Sequence, residues 1–555
     1  MRRRLAWCGV LVATLAGCAG VPDSGPLHLG RPVAPAGGGL TDATVREVPA
    51  GPLPGASRVE LVTGFLRAMI DSDDDYGVAR SYLAPGTTWN TSAGLTVYAD
   101  PARVAKGSSG AVMVQAKRLG TIGPRGAFRV APGSVTELFG LARRDGQWRI
   151  NRLAPGVLLS ANDAERLLQP ASLYFLTPDG RRVVPEPVLE PPQEPGLATT
   201  LMRALVSGPG PSVAPGVRTA IPRGTSLLGN VPISTEGVAE VDLSANARQV
   251  TSAQLVRLSA QVVWTLRQLT SVSAVRLLVN GDALTAPGVP ALQPVHSWPQ
   301  FDPAVPPGST GSLLVHRGGV IGSGTTVPRA LAGTGLSYAV RDSDGTTVAA
   351  VRGNGTIREL ATAAATSATL TVRLRAPGLT NPSFAPDGRL FVAAGEALYA
   401  LPRTGRALPV ALPADLAGTS IRAVAVSRDG ARVAMVLANG SLVVAMLSGS
   451  AAHPSLRASR RVLPAADHAA GVAWLNAGEL VTTIAREGRR DVVEVGLDGF
   501  QMQSLSAPGM PGDLDWVAAS PGQHVLASGP GGTWQLVGHR WGRLSTGTQP
   551  SYAGG

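Results

Sequence analysis

The chain has 555 residues, enough for three or four domains, and its apolar fraction of 44 % is ordinary for proteins with a buried core. The net charge is +12 at neutral pH, and 68 glycines with 45 prolines favour turn-rich β architecture over helical bundles. The only cysteines are Cys8 and Cys18, which excludes a disulfide-stapled fold and any Cys-x-x-Cys zinc or redox site.

The first eighteen residues have the layout of an export signal. Arg2–Arg4 form a positive segment, and Leu5–Leu15 form a short apolar segment. This apolar segment is too short for a helix that spans a hydrocarbon core of ~30 Å. A permanent transmembrane helix is therefore the poorer interpretation. The segment closes with small residues before a cysteine, namely Leu15, Ala16, Gly17 and Cys18.

This ending resembles the lipobox of bacterial lipoproteins. The resemblance implies that the signal peptide, residues 1–17, is cut off and that Cys18 becomes the first residue of the mature chain. It also implies that Cys18 carries two lipid modifications, as an S-diacylglycerol cysteine and an N-palmitoyl cysteine. The protein is therefore expected on the cell membrane, lipid-anchored at its extracytoplasmic face. An ordinary secretory signal, in which Cys18 has no role, is the alternative.

The positive charge is carried almost wholly by arginine, since Lys106 and Lys117 are the only lysines. In an exported protein such a surface would meet anionic lipid headgroups and cell-wall polymers, so nucleic acid is not expected as a partner. The residue preferences of a G+C-rich genome are an equally good explanation of the arginine content.

An α+β domain is predicted for residues 57–168, after a lipid anchor and a flexible, Gly/Pro-rich linker at 18–56. Ser57 and Glu60 have the spacing of a capping box and predict a helix that stops at the acidic run Asp71–Asp75. A second short helix follows, and then strands predicted at 95–98, 111–116, 127–130, 135–142 and 147–152. This order resembles the cone-shaped NTF2-like fold. The acidic run lacks the spacing and the glycine of an EF-hand loop, which favours solvated acids at a turn over calcium ligands.

Residues 169–285 show an α/β pattern of strand, turn, strand and helix, then a strand, a longer helix and a last strand. Their motifs, in order, resemble those of the GerMN domain. The resemblance implies a recognition module of the cell envelope without assigned catalysis. Its motifs are Tyr174-Phe175, Ser207-Gly208-Pro209, Ile221-Pro222-Arg223-Gly224, Val241-Asp242-Leu243-Ser244, Trp264-Thr265-Leu266 and Leu278-Val279-Asn280-Gly281. The family more often has aspartate where this chain has Asn280.

A repeating unit is predicted for residues 310–548, after a proline-rich linker at 286–309. Five glycines each lie between two apolar runs, at separations in the forties, which is the length of a propeller blade. The sequence predicts an all-β propeller with at least five blades, and six if residues 313–320 add closing strands. The Asp-Gly pairs are interpreted as hairpin turns rather than metal ligands. The five glycines are Gly345, Gly388, Gly430, Gly478 and Gly522.

A search for catalytic motifs finds no nucleophile elbow, no His-Glu-x-x-His, no P-loop and no Gly-x-Gly-x-x-Gly. The histidines show no ligand spacing, so no catalytic residue, metal or cofactor is predicted, and the protein is not expected to be an enzyme. Six of the seven lie beyond the α+β domain, at His296, His316, His453, His468, His524 and His539.

The full order of lipobox, linker, α+β domain, GerMN module and propeller resembles the LpqB family of lipoproteins. That resemblance implies a non-enzymatic accessory to an Mtr-type sensor histidine kinase, whose extracytoplasmic domain would be the partner, in signalling for cell-wall homeostasis and division. Two alternatives stay open: a lipoprotein that binds envelope glycan or a solute, and a cell-wall hydrolase.

Overall fold

The computed structural model describes residues 49–190, 196–304, 311–353 and 355–555. Cys18 and the other lipobox residues lie outside the described residues, as does most of the predicted linker. The described chain has five α-helices and thirty-five strands, arranged in three parts in the predicted order. Among the described residues, no helix has the length and apolar character needed to cross a membrane.

The first part is an α+β domain, as predicted. Its sheet has the strand order β5-β4-β3-β1-β6, and β2 pairs with β3. The elements are α1 Arg58–Ala68, α2 Asp73–Arg80, β1 Leu95–Tyr98, β2 Arg103–Lys106, β3 Val112–Ile122, β4 Phe128–Arg144, β5 Gln147–Arg152, β6 Val157–Ser160 and α3 Ala161–Leu167.

The predicted capping box is present at the start of α1. The Ser57 side chain accepts from the Glu60 backbone N–H, and the Glu60 carboxylate accepts from the Ser57 backbone N–H. Such reciprocal bonds satisfy two of the free donors at a helix start. The buried face of α1 then packs on the sheet through Phe65, whose ring lies 5.3 Å from Trp89 and 5.8 Å from Phe139.

Several details differ from the sequence prediction, which lacks β2, β6 and α3 and ends β3 at residue 116. The strands predicted at 127–130 and 135–142 are one strand, β4, because its pairing with β3 resumes at Gly133 after a register shift at Ala131 and Pro132. Helix α2 begins at Asp73, inside the acidic run, although Asp74, Asp75 and Tyr76 have positive φ and break the regular helix there, so the run interrupts the helices as predicted.

The second part has the predicted α/β pattern, with a hairpin of β7 and β8 and a separate sheet in which β9 runs parallel to β10. Helix α5 begins at a second capping box, formed by Thr251 and Gln254, that the sequence prediction missed. The elements are β7 Gln169–Leu176, β8 Val183–Glu190, α4 Leu197–Val206, β9 Val238–Leu243, α5 Ser252–Leu266, β10 Ala274–Val279, β11 Asp282–Ala283 and β12 Leu292–Pro294.

The third part is a ring of six sheets, which confirms a propeller of at least five blades. Five sheets have four consecutive strands each, and the sixth pairs β13 with both β14 and the last strand, β35, so it closes the ring. The blades start with β13 Ser312–His316, β15 Leu336–Arg341, β19 Ser383–Phe384, β23 Ile421–Val426, β27 Val472–Trp474 and β31 Trp516–Ala518.

The remaining propeller strands, in chain order, are β14 Gly319–Ser323, β16 Thr347–Arg352, β17 Ile357–Ala364, β18 Thr371–Pro377, β20 Leu390–Ala394, β21 Ala397–Leu401, β22 Leu408–Pro409, β24 Arg432–Leu437, β25 Leu442–Gly449, β26 Pro454–Leu463, β28 Glu479–Arg486, β29 Arg489–Gly496, β30 Met502–Ser504, β32 Leu526–Gly529, β33 Gly532–Val537, β34 Arg540–Ser545 and β35 Thr548–Tyr552. All five repeat glycines lie between the first and second strands of a blade. Four have positive φ, as tight turns require, and Gly478 does not.

The antiparallel order of strands gives the propeller two different faces. Turns that join the first strand to the second, and the third to the fourth, lie at one end of the ring, as at Asp387, Gly430 and Gly449. We call this end the closed face. Turns between second and third strands, and connections between blades, lie at the other end, as at Gly395 and Ser420. We call it the open face.

Candidate functional site

The α/β domain packs on the closed face of the propeller. Met446 and Ala431, from one blade, belong to the same buried apolar cluster as the α/β core. Gly216 lies so close that a Cβ there would be 2.8 Å from the Met446 methyl carbon. The Arg182 guanidinium also donates to the Arg428 carbonyl oxygen. A shared apolar cluster and the hydrogen bond from Arg182 therefore hold the two domains together.

Arg428 lies next to this contact and bridges several blades at the centre of the closed face. Its guanidinium donates to Ser343 Oγ at 3.2 Å, to Ser520 Oγ at 2.9 Å and to the Ala553 carbonyl oxygen. These partners belong to turns of two other blades and to the chain beyond β35, so one side chain ties together the centre of the closed face. Burial and the neighbouring Arg182 lower the pKa of Arg428 to about 10, so it stays charged at neutral pH.

The N-terminal domain is fixed to both other domains. The Leu189 N–H donates to the Gly126 carbonyl oxygen at 2.8 Å, and Arg125 donates to the Gly208 carbonyl oxygen. On the propeller side, the rings of Phe128 and Phe500 meet edge to face with centroids 5.2 Å apart. The three domains therefore form one interlocked body.

Buried charges gather where the three domains meet. Arg460 of the propeller donates to the Phe128 carbonyl oxygen of the N-terminal domain, and Glu186 of the α/β domain accepts from the Gly210 N–H at 3.0 Å. Burial lowers the pKa of Arg460, an effect opposed by the carboxyls of Asp498 and Glu186. Burial also raises the pKa of both carboxyls. Because removal of one partner would leave another charge buried, these groups favour a single arrangement of the domains.

A pH dependence is expected from Glu190, whose carboxyl lies against Gly126 at the same interface. Burial raises the pKa of Glu190 to about 7, above its unfolded value, so the folded chain holds a proton that the unfolded chain loses. Its contribution to stability is complete below pH ~4.5 and is lost as the pH rises through ~7. Glu190→Gln should therefore raise the free energy of unfolding at pH 8 by about 1 to 3 kcal/mol and leave it unchanged at pH 4.5, measured by urea unfolding. An equal change at both pH values would contradict this assignment.

The open face carries a funnel of about 810 Å³. Arg358 forms part of its wall, donating to the Leu379 carbonyl oxygen at 2.6 Å, to Ser337 Oγ at 2.9 Å and to Asn381 Oδ1 at 3.2 Å. Trp516 forms another part and donates to the Pro550 carbonyl oxygen at 2.9 Å. With their polar groups engaged, these side chains offer a preformed surface.

Two further cavities lie elsewhere. One of about 340 Å³ in the N-terminal domain is lined by Met69, Phe139 and Glu137, and burial raises the pKa of Glu137. The other, of about 550 Å³, lies between the α/β domain and the closed face and is lined by Arg218 and Arg389 among others.

Groups suited to acid–base or metal chemistry were sought across the described part of the chain. No set of three or more His, Cys, Asp or Glu side chains there is placed to hold a metal ion. Glu479 and Glu494 interact across β28 and β29, and burial together with the Glu479 charge raises the pKa of Glu494 to about 7. Neither carboxyl lines any of the three cavities.

The predicted site residues Cys18, Leu15, Ala16 and Gly17 cannot be placed, since they precede the described residues. The acidic run is engaged locally, because Asp75 accepts from Arg80 at 2.5 Å and from Thr91 Oγ1 at 2.9 Å. Sequence reasoning missed the buried arginines that join the domains, Arg428 and Arg460. The only signal at Arg428 is its place beside an Asp-Gly turn, and such a turn is ordinarily exposed.

Three family models match the chain, one for each part of the structure. Residues 51–165 match the model "Lipoprotein LpqB, N-terminal domain", and residues 172–285 match "Sporulation and spore germination". Residues 315–553 match "Lipoprotein LpqB beta-propeller domain".

Similar solved structures include the first GerMN domain of the sporulation protein GerM from Bacillus subtilis, at 29 % identity over 23 % of this chain and 92 % of that one, with a TM-score of 0.19. Another is TolB from Acinetobacter baumannii, at 14 % identity over 56 % of this chain and 86 % of that one, with a TM-score of 0.35.

Among similar curated proteins is Lipoprotein LpqB of Thermobifida fusca, 30 % identical over 98 % of this chain and 97 % of its own length. Lipoprotein LpqB of Rhodococcus opacus is 27 % identical over 94 % of this chain and 92 % of its own. Since the similarity runs through all three domains and nearly the whole of both chains, this chain belongs to the LpqB lipoprotein family.

Proposed function

We propose that this lipoprotein is a non-enzymatic accessory to a sensor histidine kinase of the Mtr type. The family implies a membrane-anchored protein of the envelope. In this proposal acylated Cys18 holds the chain at the extracytoplasmic face of the cell membrane, and the propeller binds the extracytoplasmic domain of the kinase. The complex would adjust signalling for cell-wall homeostasis and cell division.

The observation that carries this proposal is the difference between the two propeller faces. The α/β domain occupies the closed face, whereas the open face keeps a funnel walled by Arg358 and Trp516. Ile357, next to the wall residue Arg358 in β17, is 65 % exposed, and Arg422 in the funnel wall is also exposed. Exposed apolar and arginine side chains around a preformed hollow are typical of docking surfaces. A rigid body held beside the bilayer would also raise its effective concentration near a membrane-bound partner.

The proposal is tested by capture of a purified kinase ectodomain by the soluble mature chain carrying Cys18→Ser. We expect saturable binding without lipid or nucleotide. Binding of cell-wall glycan fragments without capture of the ectodomain would instead support a glycan-binding lipoprotein. Turnover of an envelope substrate, lost on changing a single acid or histidine, would support a hydrolase.

A pair of single changes should locate the contact. Ile357→Asp puts a charge on the open face beside the funnel and should weaken ectodomain binding at least tenfold, because a buried, unpaired carboxylate opposes association. Val537→Asp is the matched control, since Val537 is 56 % exposed and ends β33 at the closed face. Both variants should melt like the parent chain. Equal losses of affinity in calorimetric titrations would show that the open face is not the site.

A further inference from the structure

The positive charge of the chain is concentrated in the sheet of the N-terminal domain. Residues 95–155 contain ten arginines and lysines but three acids, a net of +7 out of +12 for the whole chain. None of these ten basic side chains forms an ion pair within the described residues. By contrast, several arginines of the propeller do, such as Arg375 with Glu359 at 2.8 Å and Arg403 with Asp344 at 3.0 Å.

Strand register places part of this charge on one face of the sheet. Residues paired across neighbouring strands point to the same side. Arg103 pairs with Gln115, and Gln115 pairs with Thr136. On the other side of β4, Gly140 pairs with Arg152 and Ala142 pairs with Arg149. Arg144, two residues beyond Ala142, belongs to the same side. We call this surface the basic sheet face: Arg103, Ala105, Met113, Gln115, Thr136, Leu138, Gly140, Ala142, Arg144, Arg149 and Arg152.

The basic sheet face is open and lacks acids. The opposite side of the same strands carries Val114 and Phe139, which are buried against α1. On the basic sheet face, Arg103, Arg144 and Arg152 are exposed and make no side-chain hydrogen bond within the described residues. The basic sheet face contains no Asp or Glu. An uncompensated cluster of cations is the charge pattern that attracts an anionic surface.

Apolar side chains lie between the arginines. Met113 pairs with Leu138 across β3 and β4, and Leu138 is 44 % exposed. Gly107 lies beside these two side chains: a Cβ on Gly107 would be 3.4 Å from the Leu138 side chain and 3.6 Å from that of Met113. The other uncharged members of the basic sheet face are short or polar, so its side chains of greatest reach are the arginines and these two aliphatic residues. Cations around a small apolar centre suit the boundary between headgroups and acyl chains.

The chain reaches this domain first after Cys18. Helix α1 begins at Arg58, which donates to the Gly110 carbonyl oxygen at 2.8 Å and lies over the Trp148 ring at 5.2 Å. The start of α1 is therefore attached at the β2–β3 connection, on the side of the sheet opposite the basic sheet face. A lipid at Cys18 would keep the basic sheet face within reach of the bilayer.

We propose that the basic sheet face is a second membrane contact, which lies on anionic phospholipid headgroups and orients the anchored body. The idea rests on the proposed lipid anchor, but it is independent of the kinase. Each basic side chain near such a surface contributes about 1 kcal/mol at moderate salt. The contact should therefore weaken steeply as salt is raised.

The test uses the mature chain from residue 18 with Cys18→Ser, so that no acyl chain contributes. Co-sedimentation is measured with vesicles containing phosphatidylglycerol and with vesicles of phosphatidylcholine alone. We expect salt-sensitive binding to the first kind only. The triple variant Arg103→Gln, Arg144→Gln and Arg152→Gln should bind about a hundredfold more weakly. The matched control changes three exposed propeller arginines, Arg317, Arg406 and Arg540, to Gln and should bind nearly as the parent does.

Three results would overturn the proposal: equal losses in the two triple variants, equal binding to both kinds of vesicle, or no binding to phosphatidylglycerol. Binding of a soluble anionic glycopolymer without any binding to vesicles would assign the basic sheet face to the cell wall instead. The kinase proposal is judged separately, because ectodomain capture is measured without lipid and should be unchanged in the triple variant.

Discussion

Replacing Asp429 by asparagine is expected to lower the free energy of unfolding by about 3 to 5 kcal/mol. The Asp429 carboxylate pairs with Arg432, and the two side chains are 0 % and 2 % exposed. Arg432 also lies 4.8 Å from the centre of the Trp474 ring, while its Nε and Nη1 have no hydrogen-bond partner within the described residues. Loss of the carboxylate would leave the guanidinium charge buried without a counter-charge. Urea unfolding at neutral pH measures the loss.

Asp387→Asn is the matched control for this prediction. Asp387 occupies the equivalent Asp-Gly turn of the preceding blade and pairs with Arg389 at 2.7 Å, but its side chain is 51 % exposed. An exposed ion pair contributes less than about 1 kcal/mol, so the control should unfold close to the parent. Similar losses in the two variants would contradict the role given to burial.

Cys18→Ser is expected to abolish stable membrane attachment. Two or three acyl chains hold a lipoprotein firmly, whereas a chain without them keeps at most a weak electrostatic contact. After a wash at about 1 M salt, which removes that contact, the variant should leave the membrane fraction while the parent stays. Mass spectrometry of the parent should find the acyl groups on Cys18.

Cys8→Ser provides the control, because Cys8 belongs to the segment that is expected to be cut off. It should fractionate and be acylated as the parent is. If the parent proves unacylated, or if Cys18→Ser stays with the salt-washed membrane, the anchor is not at this residue.

Local signals in the sequence predicted the elements well where a few neighbouring residues decide the structure. The capping box at Ser57 begins α1, and the strands Leu95–Tyr98 and Gln147–Arg152 have the predicted bounds. The repeat glycines predicted the blade turns, because a tight hairpin needs positive φ whatever surrounds it. Gly478 is the exception, and its turn is held by a bond from its N–H to Asn476 Oδ1 at 2.7 Å.

Contacts between distant parts of the chain could not be predicted in this way. Arginine is usually a surface residue, and the burial of Arg428 and Arg460 follows only from how the domains pack together. Strand β4 continues past Pro132, since its pairing with β3 shifts register there and resumes at Gly133, which overrides the local tendency of both residues to end a strand. The basic sheet face emerges in the same way, because strand register brings arginines from β2, β4 and β5 onto one side.

Hydrogen exchange of the mature chain, with and without the kinase ectodomain, tests most directly whether the propeller serves as the docking surface. We expect slower exchange in the turns of the open face, at residues 355–358, 378–381 and 420–422, and unchanged exchange on the closed face. Protection confined to other surfaces, or no protection at a saturating ectodomain concentration, would contradict the proposed function.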